Sequence, residues 1–222
     1  MPVINTNVAA IKARSNFDRV QREMDQSIAR LSSGKRINSA HDDAAGLAIA
    51  GRLESQVRGT NMLIRNARDG QSLVDTMEGA LQEVSGILQR MRELAVQASS
   101  GIGTAADRGY LDTEITALFN EIDAIAKNTT FNETALFSAA SQHSFYTDIN
   151  ITGTEIVVSA NVLTNNAMLM SAEDVTISTV AHVQSAISAI DGGLSIIDTN
   201  RAKLGAISNR FDHVIDNLTN IV

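Results

Sequence analysis

Two long stretches of this chain repeat apolar residues at steps of three and four, a mean period of about 3.5, and that period limits the available folds more than any other feature. The first stretch is Leu73, Met77, Ala80, Val84, Ile87, Met91, Leu94 and Ala98. The second is Val180, Val183, Ile187, Ile190, Leu194 and Ile197, followed by Leu204, Phe211, Ile215, Leu218 and Val222. Only Arg201 and Ser208 break its alternation. A sustained 3.5 period keeps one apolar seam turned toward a partner helix, which is the condition for a coiled coil. Burying one Leu or Ile fully is worth about 1.5–3 kcal/mol, so such a seam is a strong drive to pair. The pattern predicts a mainly α chain, an elongated helical bundle or coiled coil built from the N- and C-terminal segments.

Composition supports long helices. The only proline is Pro2, so no internal residue locks φ or removes a helical N–H. Hydrophobic residues make up 44% of the chain, enough to bury a core. The net charge of -7 argues against nucleic acid, which requires a basic footprint. No apolar run approaches the roughly 20 residues that span a bilayer, so membrane insertion is not expected. The absence of cysteine removes disulfides and thiolate metal ligands.

Along the chain, residues 5–31 read as a helix with an apolar stripe at Val8, Ile11, Phe17, Val20, Met24, Ile28 and Leu31, stopped by Ser32-Ser33-Gly34. Ser39 ahead of Asp42 resembles a capping box, which predicts a second helix from near Asp42. The long heptad helix is expected from about Val57 to Ala98, and its glycines Gly59, Gly70, Gly79 and Gly86 suggest close helix contact. A further helix is expected from about Ala106, with Leu111, Ile115, Leu118, Ile122 and Ile125 on one face. Residues 128–144 read as polar and irregular. Alternation at Phe145, Thr147, Ile149 and Ile151, then Gly153 and Ile156-Val157-Val158, predicts one small β-hairpin insert. The last helix runs from about Val180 to the end. The expected division is 1–43 as an N-terminal segment, 44–127 with 176–222 as a helical rod, and 128–175 as a short variable region.

Nothing in the chain assembles catalytic chemistry, and no cofactor or metal is expected. His41, Asp42 and Asp43 are adjacent and would point to different faces of a helix, so capping explains them better than metal binding. There is no HExxH and no GxSxG. Gly101-Ile102-Gly103 follows a helix rather than a strand and lacks the third glycine of a dinucleotide loop.

The segment LSSGKRINSAHDDAAGLAIA at 31–50, with VINTN at 3–7, resembles the N-terminal region of bacterial flagellins. The resemblance continues through RDGQSLVDTMEGAL at 68–81, QRMRELAVQAS at 89–99, EITALFNEID at 114–123 and TTFNETALF at 129–137. It returns as NRAKLGAISNRFDHVIDNL at 200–218. It implies a structural subunit of the flagellar filament, exported unfolded by the flagellar export apparatus with a chaperone and polymerised with other flagellin subunits outside the cell for swimming. The heptad positions Leu73, Met77, Val84, Ile87, Met91, Ile187, Ile190, Ile197, Leu204, Phe211 and Leu218 would form the coiled-coil seam. The hook–filament junction family shares LSSGKRIN and is the alternative, although its members more often carry proline after the Asp pair, where this chain has Ala44-Ala45-Gly46.

The resemblance also implies recognition of the monomer by the flagellin-sensing Toll-like receptor. The positions that match the family's receptor and subunit interface are Gln89, Arg90, Glu93, Leu94 and Gln97, with Glu114 on the next helix and Leu194 on the last. The family's C-terminal inner-core helix has no counterpart after Val222, so residues 1 to about 40 are expected to be mobile, or held by neighbouring molecules, crystal contacts or a chaperone. On the same ground this chain is not expected to form stable native filaments alone.

Overall fold

The computed structural model describes residues 7–100, 103–137, 142–148, 155–159, 171 and 174–222. Its elements are α1 (Val8–Ser33), α2 (Ala44–Ala98), α3 (Ala105–Asn128), β1 (Thr130–Phe131), β2 (Thr134–Ala135), β3 (Gln142–Tyr146), β4 (Glu155–Ser159) and α4 (Val180–Ile221). They divide into two compact units, residues 1–58 and 59–222, and α2 contributes to both. No described helix is long and apolar enough to cross a membrane.

In the first unit, Asn7 caps α1 by accepting from the Ala10 N–H at 3.1 Å, and Gly34 ends the helix at φ 66, a left-handed conformation that glycine adopts without a Cβ penalty. No residue of α1 is buried: Phe17 is 68% exposed and Leu31 84%. The connector after it is organised by Asp42. That carboxylate accepts from the Asn38 and Ser39 N–H groups, both at 3.1 Å, and from Gln26 Nε2 at 2.6 Å. Asp43, not Ser39, supplies the cap of α2, accepting from the Gly46 N–H at 2.8 Å. The expected capping box is thus an Asx-type connector followed by an aspartate cap. The two helices expected near Asp42 and Val57 are one, because no proline and no strong polar cluster interrupts the backbone between them.

In the second unit, α2, α3, α4 and the β3–β4 hairpin share one apolar core. On α2 one continuous buried stripe is Ala67, Gly70, Val74, Met77, Leu81, Val84, Leu88, Met91, Ala95 and Ala98, with Leu73 and Leu94 buried beside it. Six of the eight heptad positions read from sequence are buried, Leu73, Met77, Val84, Met91, Leu94 and Ala98, while Ala80 and Ile87 are only partly buried. The difference has a simple cause: α2 is covered on two sides, by α3 and by α4, so its apolar face is wider than a single seam. On α4 the buried apolar side chains are Val183, Ala186, Ile190, Ile197, Leu204, Phe211 and Leu218, with Ile187, Leu194 and Ile215 among those partly buried.

Cross-links between α2 and α4 give their relative direction. Arg92 meets Asp191, Glu78 meets Arg201, and Gln71 meets Asp212, so rising along α2 is falling along α4 and the pair is antiparallel. α3 opens with a capping box in which Thr104 and Asp107 satisfy each other's backbone N–H groups. Its buried face is Ile115, Phe119, Ile122 and Ala126.

The β3–β4 pair is antiparallel, with Phe145 opposite Ile156 and His143 opposite Val158. Ile156 and Val158 are fully buried, and β4 lies against α4. Ile149 and Ile151, which the alternation placed in this hairpin, lie outside the described residues. The polar 128–144 stretch holds a second, two-residue ladder, Thr130 with Ala135 and Phe131 with Thr134. Its loop, Asn132-Glu133, has φ 48 and 63, the doubly positive pattern of a type I′ turn.

Among the glycines singled out from sequence, Gly70 has a close contact of the kind expected. A Cβ there would stand 2.6 Å from Phe211 Cζ, whereas at Gly79 and Gly86 it would meet nothing within 4 Å.

Candidate functional site: a polar surface on α2, α3 and α4

One face of α2 carries Gln89, Glu93 and Gln97 at helical spacing i, i+4, i+8, with Arg90 beside them, all exposed. The ridge sits directly over the fully buried Leu88, Met91, Leu94 and Ala95, which fix its backbone. Arg90 is the centre of its polar network. Its Nε and Nη2 donate to Glu114 Oε1 on α3 at 3.1 and 2.9 Å, and Nη1 reaches Glu93 Oε2 at 3.3 Å. Hydrogen bonding to Glu114, then the charge of Glu114 and the bond to Glu93, raises the Arg90 pKa further, so this guanidinium stays charged at every accessible pH. The side chains are about half exposed, so the network contributes little to stability and mainly holds the guanidinium in a fixed pose.

α4 enters on the other flank. Arg92 Nε donates to Asp191 Oδ1 at 2.7 Å. Three residues back along α2 is Gln89, and three residues on along antiparallel α4 is Leu194, so Leu194 stands level with Gln89. Gln89, Arg92, Glu93 and the half-exposed Val96 line an open cleft of about 450 Å³. The structure therefore brings Gln89, Arg90, Glu93, Gln97 and Glu114 onto one surface, with Leu194 partly buried at its α4 edge. Leu94 is different. It is 1% exposed and packs in the core, because it lies on the side of α2 turned toward its partners, so it supports this surface from beneath. Arg92, Val96 and Asp191 were not singled out from sequence. Charged residues flanking an apolar seam on two helices are the signal that marks Arg92 and Asp191.

The seam residues sit below. Leu73, Met77, Val84, Met91, Ile190, Ile197, Leu204 and Phe211 are buried, Leu218 is 8% exposed, and Ile87 and Ile187 pack against the core as partly buried residues. Seam position Arg201 is half-buried and bridges to Glu78 with Nε and Nη2 each 2.8 Å from Oε1. Asp42 and Asp43, the nearest thing to a metal cluster in the sequence, are both engaged in capping and connector hydrogen bonds.

Nothing in this surface positions a nucleophile, a general base or a metal. Residues 4–142 match the family model for the bacterial flagellin N-terminal helical region. The chain is 39% identical to a flagellin of Halalkalibacterium halodurans over 98% of its own length and 80% of that protein. It is 31% identical to flagellin B of Vibrio cholerae over 98% of the chain and 85% of that protein. Among solved structures it resembles Bacillus cereus flagellin with a TM-score of 0.62 at 30% identity, covering 69% of this chain and 88% of that one. A Vibrio parahaemolyticus structure described as a flagellar hook-associated protein shares the fold at a TM-score of 0.69 but only 17% identity, covering 82% of this chain and 95% of that one. This chain belongs to the bacterial flagellin family, whose members are structural proteins and not enzymes.

Proposed function

We propose that this chain is a filament-forming subunit of the bacterial flagellum, exported through the flagellar apparatus with a chaperone and polymerised with copies of itself outside the cell to support swimming. The observation that carries this reading is α1: a 26-residue helix with no buried residue and an apolar stripe left entirely exposed. A helix of that kind is stable only where neighbouring chains cover it. The rod of 44–127 with 176–222, the N-terminal segment 1–43 and the insert 128–175 are then the parts that build, anchor and decorate the subunit. Supplying the intact gene to cells that lack their own flagellin is expected to restore filaments by electron microscopy and swimming in soft agar. Stable expression and export without either would overturn the reading. The alternative, a hook–filament junction protein, rests on the shared LSSGKRIN segment and would leave such cells without filaments.

On the same grounds the monomer is a ligand for the flagellin-sensing Toll-like receptor, contacted through Gln89, Arg90, Glu93 and Gln97, with Glu114 and Leu194 at the edges. Support comes from the Arg90 guanidinium, held half exposed by Glu114 and Glu93 in one pose, so that little side-chain entropy is lost on contact. In a receptor reporter assay, Arg90→Ala is expected to reduce signalling at least tenfold relative to wild-type monomer. Equal signalling from both would remove Arg90 from the interface, and silence from wild-type monomer would remove the receptor reading.

A further inference from the structure

The apolar seam between α2 and α4 does not by itself distinguish registers one heptad apart. Counting in sevens from the Gly70–Phe211 contact, in opposite directions along the antiparallel helices, sets Met77 level with Leu204, Val84 with Ile197, Met91 with Ile190 and Ala98 with Val183. All of these residues are buried. Sliding α4 by seven residues one way sets Phe211 against Met77, Leu204 against Val84 and Ile197 against Met91. Sliding it the other way sets Leu204 against Gly70 and Ile197 against Met77. Each register buries a similar apolar stripe, so burial leaves them close to degenerate.

Two features at the buried seam remove the degeneracy, with the exposed Gln71–Asp212 hydrogen bond beside them. The first is the Gly70 socket. Phe211 Cζ would lie 2.6 Å from a Cβ at this position and Phe145 Cδ1 3.1 Å from it, and the two rings meet edge to face with centroids 5.6 Å apart at 85°. Only a residue without a side chain admits both rings. Gly79 and Gly86 on the same helix face no neighbour within 4 Å, so neither offers a second socket. A slipped α4 carries Phe211 to Met77 or Leu63 and leaves the socket without its ring. The second is the Arg201–Glu78 bridge, the polar interruption in the α4 heptad. Slipping sets Arg201 against Ser85 or Gln71, and Glu78 against Ser208 or Leu194, so two half-buried charges lose each other. The exposed Arg92–Asp191 pair lacks this power, because one slip simply gives Arg92 the carboxylate of Asp198.

We propose that the Gly70–Phe211 socket and the Glu78–Arg201 bridge form a register lock for the α2–α4 pair, and that this lock fixes which part of α4 completes the Gln89–Gln97 surface. A slip of seven residues displaces α4 by about 10 Å. It would replace Leu194 beside Gln89 with Arg201 or Ile187, composing a different surface from the same sequence.

The chain contains no cysteine, so engineered thiol pairs report register without background. Arg92→Cys with Asp191→Cys reads the native register. Arg92→Cys with Asp198→Cys, and Arg92→Cys with Gln184→Cys, read the two slipped ones. In the otherwise unaltered chain, oxidation should cross-link the native pair at least a hundredfold faster than either slipped pair. Adding Gly70→Ala, Glu78→Leu and Arg201→Leu should lower that preference at least tenfold while helicity by circular dichroism persists. An unchanged preference overturns the lock. So does a helical variant in which no pair cross-links, since the seam would then not hold alternative registers at all. Should the triple variant not fold, Glu78→Leu with Arg201→Leu alone should still lower the preference at least threefold, and the charge swap Glu78→Arg with Arg201→Glu should restore it. Failure of either shift overturns the bridge as a lock. None of these readouts requires filament assembly or receptor binding, so they stand apart from the functional reading.

Discussion

At the scale of single residues, the clearest consequence of the structure lies at Asp42. The hydrogen bond from Gln26 and then the Asn38 and Ser39 N–H groups favour its ionised form and lower its pKa from 3.8 to about 2. A carboxylate whose folded pKa is depressed supports the folded form above its unfolded value and loses that support as pH falls through the folded one. The connector is therefore expected to hold its hydrogen bonds at pH 5 and release them between about pH 4 and pH 2. Hydrogen exchange at the Asn38 and Ser39 amides checks this, and Asp42→Asn should remove the acid transition. Leu94 and Gln97 make a second pair of expectations. Both belong to the motif that resembles the family's interface, yet Leu94 is 1% exposed and Gln97 lies on the surface. Leu94→Ala should cost about 2–5 kcal/mol of stability by denaturant unfolding, whereas Gln97→Ala should stay within about 0.5 kcal/mol.

At the scale of elements, caps and turns separate what local sequence dictates from what it leaves open. Thr104 and Asp107 form the capping box that starts α3, and Thr104→Ala should destabilise the second unit by about 1 kcal/mol in a denaturant titration. The Asn132-Glu133 turn places a glutamate at φ 63, a conformation costly for a residue with a Cβ. Glu133→Gly is therefore expected to raise stability by up to about 1 kcal/mol in the same assay, the gain being limited by the greater entropy of glycine in the unfolded chain. This small ladder was not legible in the sequence because neither of its strands exceeds two residues and its turn lacks the usual glycine. The stretch from 44 to 57 reads in sequence as the junction of two helices. Glycines and polar residues there lower helix propensity, but nothing in that stretch terminates a helix, and α2 runs through it.

At the scale of the whole molecule, the two units differ in how they are held. The second has one shared core, whereas α1 in the first buries none of its side chains. Phe17→Ser should accordingly leave thermal unfolding of the 59–222 unit unchanged by calorimetry, and should suppress sedimentable assembly in cells that export the protein. The sequence by itself determined the helical class, because a 3.5 period without internal proline has few other solutions, and its long motifs identified the family. It also placed α1, α3 and α4 to within a few residues, from Gly34 at the end of α1, the Gly101-Ile102-Gly103 sequence ahead of α3 and the heptad that opens at Val180 in α4. Tertiary structure decided what periodicity cannot: that α2 is covered on two sides and so needs a broader stripe, that Leu94 faces inward while Gln97 faces out, and which heptad of α4 meets which heptad of α2. A repeating pattern fixes the face of a helix but is unchanged by sliding along it, so register has to come from singular contacts such as Phe211 in the Gly70 socket and Arg201 on Glu78.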